Sequence, residues 1–286
     1  MRNESAPGAW EMTPRAPDPR LAGAVLGYTG YAERSAVPLR RMQVPTTVVP
    51  LILSLGPPIV VDGVEHTSFV AGMHDAVATT EYAGEQLGVQ VNLTPLGARR
   101  LIGLPMAELA RQVVAVEDVL GPSVSRLVDR LREAATWEAR FALLDHALLE
   151  RLYRAAPVTG EIGHAWARLE ASGGAVRVET LAREVGWSRR HLSARFRADV
   201  GLPPKAVARI LRFERVTELL RVSSGPSLAD AAFDCGYADQ AHLNRDFRAF
   251  AGTTPTDFVA RLIPDMHDVE GRPEVTNVQD GLARAA

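Results

Sequence analysis

The sequence predicts an α+β protein: a β-rich, barrel- or cupin-like amino-terminal domain with following helices, then an all-α carboxy-terminal domain. Three observations carry this. Residues 21–104 are short apolar runs cut by Gly and Pro, the apolar spacing changes near residue 105, and one motif occurs twice toward the carboxy terminus. A chain of 286 residues with 47% hydrophobic content can supply two ordinary cores.

The first twenty residues hold four prolines and read as a flexible arm over 1–20, with charge where a secretory signal would need an apolar stretch. "LAGAVLGYTGY", "VVPLILSL" and "PIVVDGVEHTSFV" follow as candidate strands, with "VDG" as a turn. "GVQVNL" alternates by two. The longest uncharged apolar stretch, residues 48–61, holds three prolines and is too short to span a bilayer, so no membrane partner is expected. From about 105, "PMAELARQVV", "GPSVSRLVDRLREA" and "TWEARFALLDHALLERLYRA" carry apolar residues three and four apart. These read as amphipathic helices forming a docking or dimerisation layer, which closes a domain over 21–155.

A second domain is expected over 160–263. It opens with a helix ended by the Gly173-Gly174 pair, and every segment from Val176 to Ile263 reads as helix. The tail, 264–286, is polar and weakly acidic and reads as disordered. The motif H-L-x-x-x-F-R-A-x-x-G-x-x-P begins at His191 and again at His242, so one structural unit is used twice. In the first copy Leu181, Ala182 and Val185 mark a short helix, Gly186 a turn and Ser188 the cap of a second helix anchored by Leu192 and Phe196. In the second, Ser227 and Asp230 make a capping box. Ala232, Gly236 and Tyr237 match the turn, Asp239 is the cap, and Leu243 and Phe247 are the anchors. Two helices about a glycine turn make a helix-turn-helix, whose second helix can enter the major groove of DNA.

This doubled unit, joined by "PPKAVARILRFERVTELLR", resembles the DNA-binding domain of AraC/XylS-type transcription regulators over roughly residues 160 to 263. The resemblance implies two helix-turn-helix units reading successive major-groove segments. By motif position Arg190, Ser193 and Ala194 lie nearest base edges, with Arg190 suited to guanine. Arg189 and Arg197 are expected on phosphate. Gln240, Ala241, Asn244 and Arg245 are the outward residues of the second helix, Gln240 suiting adenine. Residues 177–215 carry ten basic and four acidic residues, against four and six over 216–263, so the first unit is the expected electrostatic anchor. Arg195 departs from the family pattern and has Glu184 as a candidate partner. His191 and His242 are expected to be structural, beside the linker helix.

The amino-terminal stretch "GVQVNLTPLGARRLIGLPMAEL" resembles β-rich domains attached to some of these regulators, which in the wider family sense small molecules or mediate self-association. Tyr28, Tyr31, Phe69 and Tyr82 are either the lining of a ligand cavity or ordinary core. His66 and His74 are the only histidines in the β region, too few for a cupin metal site, so no metal or cofactor is expected. The sole cysteine, Cys235, excludes a disulfide framework and reads as a small buried thiol in a cytoplasmic protein. It cannot serve as the acceptor of a DNA-repair methyltransferase, and no P-loop or paired-carboxylate signature is present, so no enzyme is expected. Arginine-rich, lysine-poor usage suggests a GC-rich bacterial genome. The expected partners are double-stranded operator DNA, a small-molecule effector, RNA polymerase if the protein activates, and a second copy in a homodimer. Control by a protein partner is the alternative to an effector.

Overall fold

The computed structural model describes residues 2–3, 8–220 and 227–262, and the 264–286 tail lies outside them. Among the described residues nine antiparallel strands form one sheet: β1 (Arg2–Asn3), β2 (Gly8–Arg15), β3 (Val25–Gln43), β4 (Val49–Ser54), β5 (Ile59–Val61), β6 (Val64–His66), β7 (Phe69–Ala71), β8 (Ala78–Leu93) and β9 (Val113–Ala115). Their order is β1-β2-β3-β8-β4-β7-β9, with the β5–β6 hairpin attached to β8. Asp62 and Gly63, both at positive φ, turn that hairpin as "VDG" suggested.

β8 is the spine. It pairs with β3 along its length, with β4 through residues 88–93 and with β5 through Thr80 and Glu81. The β3–β8 register shifts between Ser35↔Gly84 and Leu39↔Tyr82, with Gly84 at φ 78°. A bulge there bends both strands and curls the sheet. Side chains alternate across it with period two. Val89, Val91 and Leu93 face one side with Leu51, Leu53 and Tyr28, while Glu33, Ile52, Gln86 and Gln90 face the other.

The first side is closed by helices: α1 (Pro95–Ile102), α2 (Met106–Leu109), α3 (Val116–Leu120), α4 (Ser123–Glu133) and α5 (Trp137–Arg154). Thr94 caps α1 through Gly97 N–H, and Thr136 caps α5 through Ala139 N–H. Val128 and Leu131 of α4 and Phe141, Leu144 and Leu148 of α5 are buried against the sheet. Gly30 lets Trp137 lie on the sheet, since a Cβ at residue 30 would come 2.5 Å from the indole.

Two expectations are corrected. Residues 8–15 of the expected arm are a strand, paired from Gly8↔Ser35 to Arg15↔Tyr28. Pro14 is tolerated because β1 reaches only Trp10 and Glu11, leaving its outer side unpaired among the described residues. The segment is then tied down by Asp145 of α5, which accepts from Asp18 N–H at 3.0 Å and lies 3.5 Å from the Arg15 guanidinium. Residues 113–115, expected as helix, form edge strand β9 on β7. Val113 and Val114 are β-branched, and Arg111 at φ 61° turns the chain out of α2.

α5 ends at Arg154 and α6 (Gly160–Ala171) begins the all-helical half, followed by α7 (Val178–Glu184), α8 (Arg189–Val200), α9 (Pro204–Leu220), α10 (Leu228–Asp234), α11 (Gln240–Ala251) and α12 (Pro255–Leu262). Gly173 and Gly174 end α6 at positive φ, and a Cβ on Gly174 would meet Ala208 O at 2.2 Å. The halves touch where α8 packs on α1 and α2, with Arg99 Nε 3.1 Å from Asp199.

Candidate nucleic-acid interface and effector cavity

The two repeats fold alike. α7 and α8 are joined through Gly186 (φ 71°), and α10 and α11 through Gly236 (φ 74°). Ser188 Oγ accepts from His191 N–H, and Asp239 Oδ1 accepts from His242 N–H, so each second helix starts on a side-chain cap. Ser227 Oγ accepts from Asp230 N–H and donates to the Asp230 carboxylate. Leu192, Phe196, Leu243 and Phe247 are fully buried. With those residues turned inward, the opposite faces of α8 and α11 are left to solvent. The residue after each glycine stacks edge-on with a histidine: Trp187 with His191 at 4.6 Å and Tyr237 with His242 at 5.2 Å. Both histidines therefore brace their own turn, a structural role as expected, and Tyr237 is itself covered by Arg212 of the linker helix.

α9 binds the units together. Arg209 forks onto buried Asp246 of α11, with Nη2 at 2.6 Å and Nε at 3.2 Å from Oδ1, and its guanidinium lies over Phe250. Arg212 lies over Tyr237 and donates to Gly236 O. Glu214, half-buried, reaches the other half of the protein: Thr47 donates to it from N–H at 2.7 Å and from Oγ1 at 2.9 Å. Burial, opposed by these two hydrogen bonds and reinforced by Glu218 and Glu170, raises its carboxyl to about 7.

The folded chain thus holds a proton on Glu214 where an unfolded glutamate has lost it. Its contribution to stability is complete below pH about 4.5 and is lost as pH rises through about 7. Glu214→Gln should flatten that loss. Urea unfolding at pH 5 to 8 should show the wild type losing at most about 3 kcal/mol relative to the variant. Parallel stability curves would count against the assignment.

On the sheet's second face lies a cavity of about 310 Å³. Tyr31, Phe69 and Tyr82 line it together with aliphatic residues such as Val48, Ile52 and Val113. Glu33 sits there between the Arg41 guanidinium, 2.8 Å away, and the Tyr82 hydroxyl. Tyr28 is elsewhere. It is fully buried on the opposite face, donates to Asp145 at 2.8 Å and stacks on Phe141. Residues 28 and 31 are an odd number apart on β3 and so point to opposite faces, which removes Tyr28 from the candidate lining. Thr46 and Val48 line the cavity, and Thr47 between them holds Glu214.

A family described as "Helix-turn-helix domain" matches residues 181–261. Residues 181–261 are an AraC-type helix-turn-helix domain. No curated protein matches the chain. Among solved structures, an AraC-type transcriptional regulator from Chromobacterium violaceum is similar at 25% identity, over 37% of this chain and 95% of that one, with a TM-score of 0.34. ToxT from Vibrio cholerae is similar at 9% identity over 92% and 100%, with a TM-score of 0.45. The carboxy-terminal domain of AraT from Geobacillus stearothermophilus is similar at 21% identity over 40% and 95%, with a TM-score of 0.35.

Within the AraC-type domain, Arg189, Arg190, Ala194, Arg197, Gln240, Ala241 and Arg245 are exposed, and Ser193 and Asn244 are half-buried. Arg189 is paired with Glu179 at 2.7 Å. Arg195 does not meet Glu184, whose carboxyl is held down near 2 by Arg168 and His164. Instead it lines a cleft with Arg99, Arg100, Arg151 and Arg154 where α8 meets α1 and α5. Cys235 is buried, and desolvation pushes its thiol pKa up. Sequence reasoning missed Arg209–Asp246, Thr47–Glu214 and Glu33–Arg41. Only the last left a trace, as opposite charges an even number apart in a β-rich region.

Proposed function

We propose that the amino-terminal half of this chain binds a small-molecule effector and thereby sets the activity of the AraC-type domain. The chain is a DNA-binding transcription regulator. One observation carries the reading of how it acts: two capped helix-turn-helix units fastened to a single helix, α9, with the polar faces of α8 and α11 exposed. On this reading Arg190, Ser193 and Ala194 meet base edges from α8, and Arg197 takes a phosphate. Arg189 takes one on exchanging Glu179 for DNA. Gln240, Ala241, Asn244 and Arg245 serve α11.

The effector reading is supported by the aromatic-lined cavity and by Thr47, which ties its wall to α9. A ligand that displaced Thr46 or Val48 would alter the Thr47–Glu214 contact and with it the seating of the AraC-type domain. Residues 21–155 and 160–263 would be the two working parts, acting by binding rather than catalysis. A second copy would have to use surfaces other than the apolar faces of α4 and α5, which are occupied by the sheet. RNA polymerase enters if the protein activates.

The test is binding of the purified protein to its own upstream DNA against a scrambled duplex at two salt concentrations. Preference for the native fragment, weakening with salt, is expected. Arg190→Ala should cost about 1–3 kcal/mol and relax preference at one base pair. Arg197→Ala should weaken both duplexes alike and lower the salt slope by about 1. A variant at Arg190 that binds with unchanged affinity and preference would remove it from the interface.

A further inference from the structure

We infer that the cleft where α8 meets α1 and α5 binds a small molecule carrying two or more phosphate groups, with Arg100 and Arg195 as its first contacts. This goes beyond the effector reading and does not depend on it, since the cleft and the aromatic-lined cavity share no residue. The cleft holds about 510 Å³, within the range of small-molecule sites. Five guanidiniums line it: Arg99 and Arg100 near the end of α1, Arg151 and Arg154 at the end of α5, and Arg195 on α8. Asp199 is the one carboxylate among its described lining residues. Arg99 is held by Asp199 at 3.1 Å, and Arg154 meets Glu150 at 3.2 Å, both of that second pair exposed. Arg151 spends Nε on Leu101 O and Nη1 on Leu120 O, neutral acceptors, and burial holds its pKa below the usual guanidinium value. Arg100 Nε is buried and Arg195 is exposed, and neither side chain makes a hydrogen bond or ion pair among the described residues.

Guanidiniums brought from three helices into one concave space repel one another unless an anion joins them. Their planar forks match phosphate oxygens, and linked phosphates bring several negative charges where a lone carboxylate brings one. Thr159, which precedes α6, also lines the cleft, and its hydroxyl makes no capping bond. That hydroxyl can donate to a phosphate oxygen. The cleft is not the DNA face. α8 turns about 100° per residue, which sets Arg195 roughly 140–160° around the helix from Arg190, Ser193 and Arg197. Arg195 turns toward α1 and α5 instead, so an anion held there would bridge the first reading helix to the amino-terminal half.

The experiment titrates the full chain with inorganic pyrophosphate and with malonate by calorimetry, in chloride buffer without magnesium. The wild type should bind pyrophosphate at one site and more tightly than malonate. Arg100→Met and Arg195→Met should each weaken pyrophosphate about tenfold. Arg126→Met, at an exposed arginine of α4 outside the cleft, should leave its affinity unchanged. Arg195 is exposed and has no partner to lose among the described residues, so melting of the unliganded wild type and Arg195→Met should coincide. Equal pyrophosphate affinity in the wild type and both cleft variants would overturn the inference, as would an equal loss in Arg126→Met or no binding at millimolar concentration. Malonate bound as tightly as pyrophosphate would overturn the assignment to phosphate. On the scrambled duplex without pyrophosphate, Arg195→Met should keep the wild-type salt slope, and a slope lower by about 1 would give the cleft to the DNA backbone instead. None of these outcomes bears on the aromatic-lined cavity.

Discussion

Arg209→Ala is expected to destabilise the carboxy-terminal domain by about 3–5 kcal/mol, the cost of leaving a buried carboxylate without its counter-charge. Asp246 is 2% exposed, its Oδ1 accepts both guanidinium bonds, and its Oδ2 is buried with no hydrogen-bond partner among the described residues. Because Asp246 lies on α11, the damage should concentrate in the second unit, read as faster amide exchange there than in α7 and α8. Arg209→Lys should recover only part of the loss, since a point charge cannot fork or stack on Phe250. Arg209→Ala/Asp246→Ala should be more stable than Arg209→Ala alone. Urea unfolding measures all three, and a loss below about 1 kcal/mol in Arg209→Ala would show the pair to be incidental.

Phe213→Ala should cost a similar amount, about 3–5 kcal/mol. Phe213 is fully buried on α9, with the rings of Phe247, Phe250 and Phe258 at 4.9, 5.3 and 6.2 Å, each near edge-on. Truncation opens a cavity that three aromatic neighbours on two helices cannot all collapse into. Phe213→Leu keeps most of the volume and should cost below about 1.5 kcal/mol. Arg209 and Phe213 both touch Phe250, so the double alanine variant should lose less than the sum.

The carboxy-terminal half was readable because its determinants are local. Ser188, Asp239, Gly186 and Gly236 each act within four residues of their partners, and the repeat made one reading check the other. The amino-terminal half was readable as β-rich but not in detail. Four prolines suggested a free arm, yet Pro14 sits where its strand has no outer neighbour. Tyr28 and Tyr31 looked alike as aromatics in one run, and only strand parity sends one into the helical layer and the other into the cavity. Thr47 and Glu214 are joined across 167 residues, a separation at which no pattern in either stretch announces the other.

α9 spans 17 residues, a rod of about 25 Å at 1.5 Å per residue. The second unit is bolted to it by the Arg209–Asp246 pair and the rings around Phe213, and α8 of the first packs against it, so the distance between the two reading helices is a property of the protein, a fixed ruler. DNA offers its successive grooves at a set pitch, and one added base pair between the two segments would carry the second about 3.4 Å along and about 35° around the axis. Tolerance of such spacing changes would have to come from bending of the duplex, because the rod cannot lengthen or turn without unfolding.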